Sequence, residues 1–146
     1  MFTLLPYADF NKTAQVFGKN LLLLQIQTVD AIMGVLHQVN DEESPHINTP
    51  GVLMWKGYEP QLCMLGLALC EEGAKRGYSV RIPEEHLEYH LDAATCASFT
   101  MRKPEWCGDI LLHESHQSRM MSDDSRYISF FKDVEMNLPM VWPVLK

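Results

Sequence analysis

The densest run of chemically competent side chains is Gly108-Asp109-Ile110-Leu111-Leu112-His113-Glu114-Ser115-His116-Gln117-Ser118-Arg119. His113 and His116 are three apart, about one helical turn, so a helix opened by Asp109 brings both imidazoles to one side. Ser115, Ser118 and Arg119 ride on the same segment. Imidazole exchanges protons near neutral pH, which makes His113 and His116 candidate acid–base groups. The competing reading is structural: two hydrogen-bonded histidines in the first turns of a helix. His86 and His90 are four apart on another helical stretch, the spacing at which two imidazoles can meet one metal ion. Cys96 and Cys107 would have to complete such a set. Their order and spacing match no zinc pattern, and paired histidines on a polar helix face are ordinarily surface residues, so no metal is expected. The sequence holds no Gly-rich phosphate loop, no GxSxG elbow and no HExxH, and no cofactor is expected.

The elements that must carry these groups read as helices. Asp9 caps a first helix ending near Gly18. A second runs from about Asn20 to about Val39, with Leu22, Ile26, Val29, Ile32, Met33 and Leu36 at helical spacing. Leu23 and Leu24 widen that stripe past one packing face, which means either deep burial or a partner surface. Asp41-Glu42-Glu43-Ser44-Pro45 reads as a solvated acidic loop. Thr49-Pro50 then opens a short helix through Met54, Trp55 and Lys56. Pro60 to Arg76, closed by Gly77, is the clearest helix, and Gly66 within it allows a neighbour to approach closely. Pro83 opens a helix to about Ala97, and residues 99–108 form a loop. The helix from Asp109 runs to about Met121, and Ser122-Asp123-Asp124 restarts a last one through Phe131. The proline-broken tail Leu138-Pro139-Met140-Val141-Trp142-Pro143 reads as an extended strap. No segment reads as a strand.

At 146 residues, 47% hydrophobic and 21% charged, the chain fits one domain, 1–146, with a true core. Its longest aliphatic run, Leu21 to Leu24, is far too short to cross a membrane. The N-terminus lacks a basic stretch and is interrupted by Pro6 and Asp9, so no signal peptide is read. Cys63 and Cys70, two turns apart in an apolar segment, suit buried reduced thiols. These features predict the cytoplasm, or the host's cytoplasm for a phage-encoded chain. The net charge of -7 opposes a general phosphate-binding surface.

Three segments read together are more specific. They are Thr49-Pro50-Gly51-Val52-Leu53-Met54-Trp55-Lys56-Gly57-Tyr58-Glu59-Pro60, leading into the helix that ends Lys75-Arg76-Gly77-Tyr78; Pro104-Glu105-Trp106-Cys107-Gly108-Asp109 with the His113 to Arg119 run; and Val141-Trp142-Pro143. With Leu5-Pro6-Tyr7-Ala8-Asp9-Phe10, their order and spacing resemble a bacterial and phage family similar to the pyrimidine-dimer DNA glycosylases of the endonuclease V type. The resemblance spans nearly the whole chain. It implies an all-α, compact, single-domain fold whose N-terminus threads into the active site. It also implies a free N-terminal amine that attacks the sugar carbon of a damaged nucleotide, a Schiff base, and a helper glutamate on the early helix. A terminal amine has an ordinary pKa of about 8 and is partly neutral, hence nucleophilic, at neutral pH. By family position, Gln25, Thr28, His113 and His116 should meet near the N-terminal segment. Trp55, Lys56, Asp109, Ser118 and Arg119 complete the expected binding set, and Thr3, Thr28, His113 and His116 are the catalytic candidates.

The reactive groups depart from that pattern. Phe2 stands where a small residue would allow methionine removal, and the threonine is displaced to Thr3. An ungapped reading from Asp9-Phe10 puts Thr28 where the glutamate belongs. Asp30, two residues on, is turned away by about 200°. Thr49, Leu53 and Gln117 replace basic or histidine side chains. Two functions follow. One is a protein that keeps the fold, has lost glycosylase and lyase catalysis, and binds a macromolecule: a protein partner or its own copy through Leu23 and Leu24, or a nucleotide in the residual pocket. The other is an active glycosylase or lyase with rearranged residues, using His113, His116 or Asp30. Because Phe2 blocks methionine removal, mass spectrometry of protein made in cells is expected to show Met1 retained; a mature chain starting at Phe2 or Thr3 would contradict this.

Overall fold

A computed structural model describes residues 2–37, 48–96 and 102–143. The acidic 41–45 loop, the end of the second helix beyond His37, Ala97, residues 99–101 and Met1 lie outside the described residues, as does the side chain of Cys96. Among the described residues the chain is helical, with no strand. The helices are α1 (Phe10–Val16), α2 (Lys19–His37), α3 (Pro50–Leu53), α4 (Glu59–Lys75), α5 (Arg81–Cys96) and α6 (Ile110–Asp123), followed by a 3-10 turn at Ser125–Ser129.

Local chemistry sets the boundaries. The Asp9 carboxylate accepts hydrogen bonds from the Asn11 and Lys12 amides, and the Asp109 carboxylate accepts one from Leu111. Each satisfies donors that a helix start leaves orphaned. Gly77 takes φ 85°, a conformation a side chain disfavours, and turns the chain out of α4. Three expectations need correction. α3 stops at Leu53, and Met54–Gly57 form turns instead. α5 starts at Arg81 rather than at Pro83, because the first helical turn needs no proline N–H. The final helix through Phe131 is only the 3-10 turn, since Asp124 ends α6 and its carboxylate caps the Arg126 amide.

The core gathers around α4, which packs against α1, α2 and α5. Leu22, Ile26, Val29, Ile32 and Met33 of α2 are fully buried, as are Leu62, Leu65 and Leu69 of α4 and Leu87 of α5. Leu23 is half-buried and Leu24 is 55% exposed, so the apolar stripe does spill past the core. No described helix is long and apolar enough to cross a membrane. α6 is attached differently. Its helical neighbour is the 3-10 turn, and it reaches the α1–α2–α4–α5 body mainly through the N-terminal segment laid along it.

Gly66 is where three helices converge. A Cβ there would stand 2.5 Å from Leu87 Cδ1 on α5 and 2.7 Å from Val29 Cγ1 on α2. Overfilling a packed core costs about 1–3 kcal/mol. Gly66→Ala is expected to lower the unfolding free energy by that amount, seen as a lower urea midpoint, although alanine is the better helix former. An unchanged or higher midpoint would show that these helices are not packed this closely.

Candidate functional site

Residues 3–8 run through the molecule without regular structure, and a side chain from elsewhere meets each one. Thr3 Oγ1 accepts from Trp55 Nε1 at 3.1 Å. The Leu4 amide donates to Gln25 Oε1 at 2.8 Å. The Leu5 amide donates to His116 Nδ1 at 2.8 Å, and the Leu5 carbonyl lies 2.7 Å from His113 Nδ1. Gln117 Nε2 donates to the Pro6 carbonyl at 2.6 Å. The Thr13 hydroxyl donates to Tyr7, and Lys103 and Cys107 donate to Ala8. Thr3, Leu4 and Leu5 are all buried. A buried extended segment cannot bond to itself, so side chains must take over its backbone groups.

The partners fix both histidine tautomers. The Gly108 N–H donates to His113 Nε2 at 2.8 Å. Nε2 therefore carries no proton, and Nδ1–H donates to the Leu5 carbonyl. His116 is the reverse: Nδ1 accepts from Leu5, so Nε2 bears the proton. That Nε2 is buried and has no hydrogen-bond partner among the described residues. Trp142 lies over this side, its ring 6.2 Å from the His116 ring and 5.6 Å from Phe2. Burial, helped by repulsion from His113, pushes the His116 pKa down to about 3.

The expected residues divide into groups. Gln25, His113 and His116 converge on residues 4–5, as expected from family position. Thr28 does not join them in any hydrogen bond: its hydroxyl donates to the Leu24 carbonyl one turn back. Trp55 is buried edge-to-face on Trp106 at 5.0 Å, and Lys56 is exposed on the turn beside it. Asp109 caps α6. The Ser115 and Ser118 hydroxyls accept the Val141 and Leu138 amides and so hold the C-terminal strap. Arg119 pairs with Asp123 at 2.9 Å and lies over the Phe2 ring. His86 Nδ1 lies 3.2 Å from Asp30, joining α5 to α2. Cys63 and Cys70 are buried free thiols, their pKa raised to about 12 by desolvation.

A cavity of about 400 Å³ opens beside this segment, between the start of α2 and the end of α6. Leu4, Leu21, Leu24 and Met120 supply apolar walls, and Asn20 and Tyr127 supply polar groups. Lys19, Asp123, Asp124 and Arg126 form its charged rim. Sequence reasoning placed none of these residues in a pocket; it put Leu24 on a partner surface. The break at Gly18 and the Asp123-Asp124 pair were the available signals. Leu23 faces a different cavity, of about 280 Å³, with Ile26, Asp30 and Val80, so the two leucines do not form one patch.

The His116 environment makes stability depend on pH. The folded pKa lies below the ordinary 6.5, so folded and unfolded chains bind equal protons above that value. As pH falls from 6.5 towards 3, the unfolded chain takes up a proton that the folded chain refuses, and stability is lost. Between pH 6.5 and 5 the loss should be about 1–2 kcal/mol. His116→Asn keeps an acceptor for the Leu5 amide but cannot titrate, and is expected to flatten this part of the urea-midpoint profile. A variant profile parallel to the parent's would remove His116 as the cause.

A family model for the pyrimidine dimer DNA glycosylases matches residues 1–85 of the 146, covering the N-terminal segment and α1 to α4. The α6 histidines lie beyond the matched stretch. Neither the curated proteins nor the solved structures gave a match. More than half the chain fits the family model and every regular element among the described residues is a helix, so the chain belongs to the pyrimidine-dimer DNA glycosylase family.

Proposed function

We propose that this family member binds without cutting, using the cavity between α2 and α6. The observation that carries the reading is the engagement of the expected reactive groups. His113 has both ring nitrogens hydrogen-bonded, and His116 is held neutral against the Leu5 amide. A general acid or base must reach the proton it moves, and these two face the chain's own backbone. The carboxylates on the cavity rim are also engaged, Asp123 by Arg119 and Asp124 by Arg126 at 2.7 Å.

Charge supports the same reading. Among the described residues, six Lys and Arg side chains pair with carboxylates: Lys75, Arg76, Arg81, Arg102, Arg119 and Arg126. Phosphate can displace an exposed pair, but the released carboxylate then faces the phosphate. A protein partner or a second copy would use Leu24 alone rather than a Leu23–Leu24 patch, which moves the weight towards a ligand in the cavity. The free buried thiols fit a cytoplasmic protein.

One observation favours a catalytic reading instead. Lys19 is among the residues lining the cavity with Leu4, and its amine lies 5.4 Å from the Tyr78 ring. Such an amine can add to the open-chain aldehyde of an abasic sugar and, with loss of water, form an imine. Borohydride trapping on abasic duplex separates the two readings. No adduct and no nicking of ultraviolet-damaged or abasic duplex at moderate salt are expected; an adduct mapping to Lys19 or to the N-terminal amine, with strand cleavage, would overturn the non-cutting proposal.

A further inference from the structure

We propose that the cavity between α2 and the start of α5 docks an arginine side chain presented by an apolar-flanked segment of a partner protein. This surface is separate from the cavity beside α6 and does not depend on the binding reading given for it. Its volume, about 280 Å³, falls below the usual small-molecule range of about 300–1,000 Å³. Leu23 and Ile26 of α2 wall one side, and Val80 and Pro83, at the entry to α5, wall the other. Such walls suit the aliphatic stem of an arginine, which buries against apolar surface while its charged tip finds a polar group.

That polar group is Asp30. Of the residues lining the cavity it alone is charged. Its side chain is 29% exposed, a setting drier than open surface, where its pull on a cation is stronger. Oδ2 accepts from His86 Nδ1 at 3.2 Å, and Oδ1 has no partner among the described residues. Gln27, three residues before Asp30 and so on the same side of α2, brings a carboxamide oxygen to the same cavity. A guanidinium carries several N–H donors in a rigid plane and can serve Asp30 and Gln27 together.

Charge sets the sign of the partner. Burial pushes the Cys70 thiol up first, and Glu84, Asp30 and Glu88 add to this by their charge, so three carboxylates from α2 and α5 lie within electrostatic reach of one point. Arg81, the cation at the start of α5, is held by Glu85 at 2.9 Å. A cationic segment is drawn to this surface and an anionic one is repelled. Ile82 and Tyr89 are exposed on α5, with His86 between them at helical spacing on one face. A free small cation would leave that apolar shoulder bare, whereas a protein segment with apolar residues beside its arginine covers it.

The test follows the amide shifts of the isotope-labelled full chain by NMR during titration with acetyl-Gly-Leu-Arg-Leu-Gly-amide. A second peptide carries citrulline in place of arginine, which keeps the shape and loses the charge. Saturable shifts at Gln27, Asp30 and Val80 are expected with the arginine peptide, with binding at least about tenfold weaker for citrulline. Asp30→Asn should weaken binding of the arginine peptide by about the same factor. Ala31→Trp, which covers the opening from an exposed position, should weaken it without touching the carboxylate, both variants being checked for folding by circular dichroism. Leu24→Ser, at the other cavity, should leave binding unchanged. No saturable shifts, equal affinity for the citrulline peptide, or binding that survives Asp30→Asn would overturn the proposal. Propylguanidinium, the side chain without its peptide, binding as tightly as the arginine peptide would also overturn it, by replacing the protein partner with a free small cation.

Discussion

Everything near the candidate site depends on a segment with no secondary structure of its own. Residues 3–6 cross between α2 and α6, and their backbone groups have exchanged water for Gln25, His113, His116 and Gln117. Each such bond contributes only about 0.5–1.5 kcal/mol net, but leaving one buried group unpaired costs about 1–3 kcal/mol. The set therefore works as a register lock. Sliding the segment by one residue would strand several donors and acceptors together. The lock also joins the two parts of the molecule, because α6 meets the α2–α4 body largely through this segment. The N-terminal sequence is thus part of the site's framework and not an appendage to it.

The same arrangement explains why histidines at catalytic spacing need not be catalytic. An extended chain presents alternating donors and acceptors, and a neutral imidazole is one side chain that can serve either. His113 offers Nδ1–H to a carbonyl, and three residues later His116 offers Nδ1 as an acceptor to the amide of the same residue, Leu5. The pair takes up both backbone polar groups of one residue. Burial holds His116 in its neutral form, and the Gly108 amide donates to the other ring nitrogen of His113.

Much of the fold was legible in sequence because its signals are local. Asp9, Asp109 and Gly77 mark helix ends through side-chain caps or a positive φ, and these act within a few residues. The α2 stripe and the close approach at Gly66 follow from helical period and side-chain size. The misjudged boundaries are also local, but they turn on energies too small for a pattern to decide: whether Met54 continues a short helix, or whether Asp124 caps a 3-10 turn rather than an α-helix. The site was legible only in part. The convergence of Gln25, His113 and His116 followed from family position, since no spacing rule relates α2 to α6. Thr28, one turn along α2 from Gln25, turns its hydroxyl to the Leu24 carbonyl and not to the N-terminal segment, a local bond that family position does not reveal.

The break between α1 and α2, at residues 17 and 18, creates the cavity beside α6. Gly18 has no side chain, and the Tyr127 hydroxyl comes within 3.2 Å of where its Cβ would stand. The tyrosine can therefore reach the backbone at the mouth of α2 and accept the Gly18 amide. Arg76, at the end of α4, donates to the Phe17 and Gln15 carbonyls on the other side of the same break. The link between α1 and α2 is thus held from both sides by side chains distant in sequence, while the apolar residues that follow it, Leu21 and Leu24, are left facing open space. A continuous α1–α2 helix would bond those amides and carbonyls internally and leave Tyr127 without its partner. Interrupting the helix, at the cost of a few backbone hydrogen bonds that Tyr127 and Arg76 replace, leaves a cavity open beside the N-terminal segment.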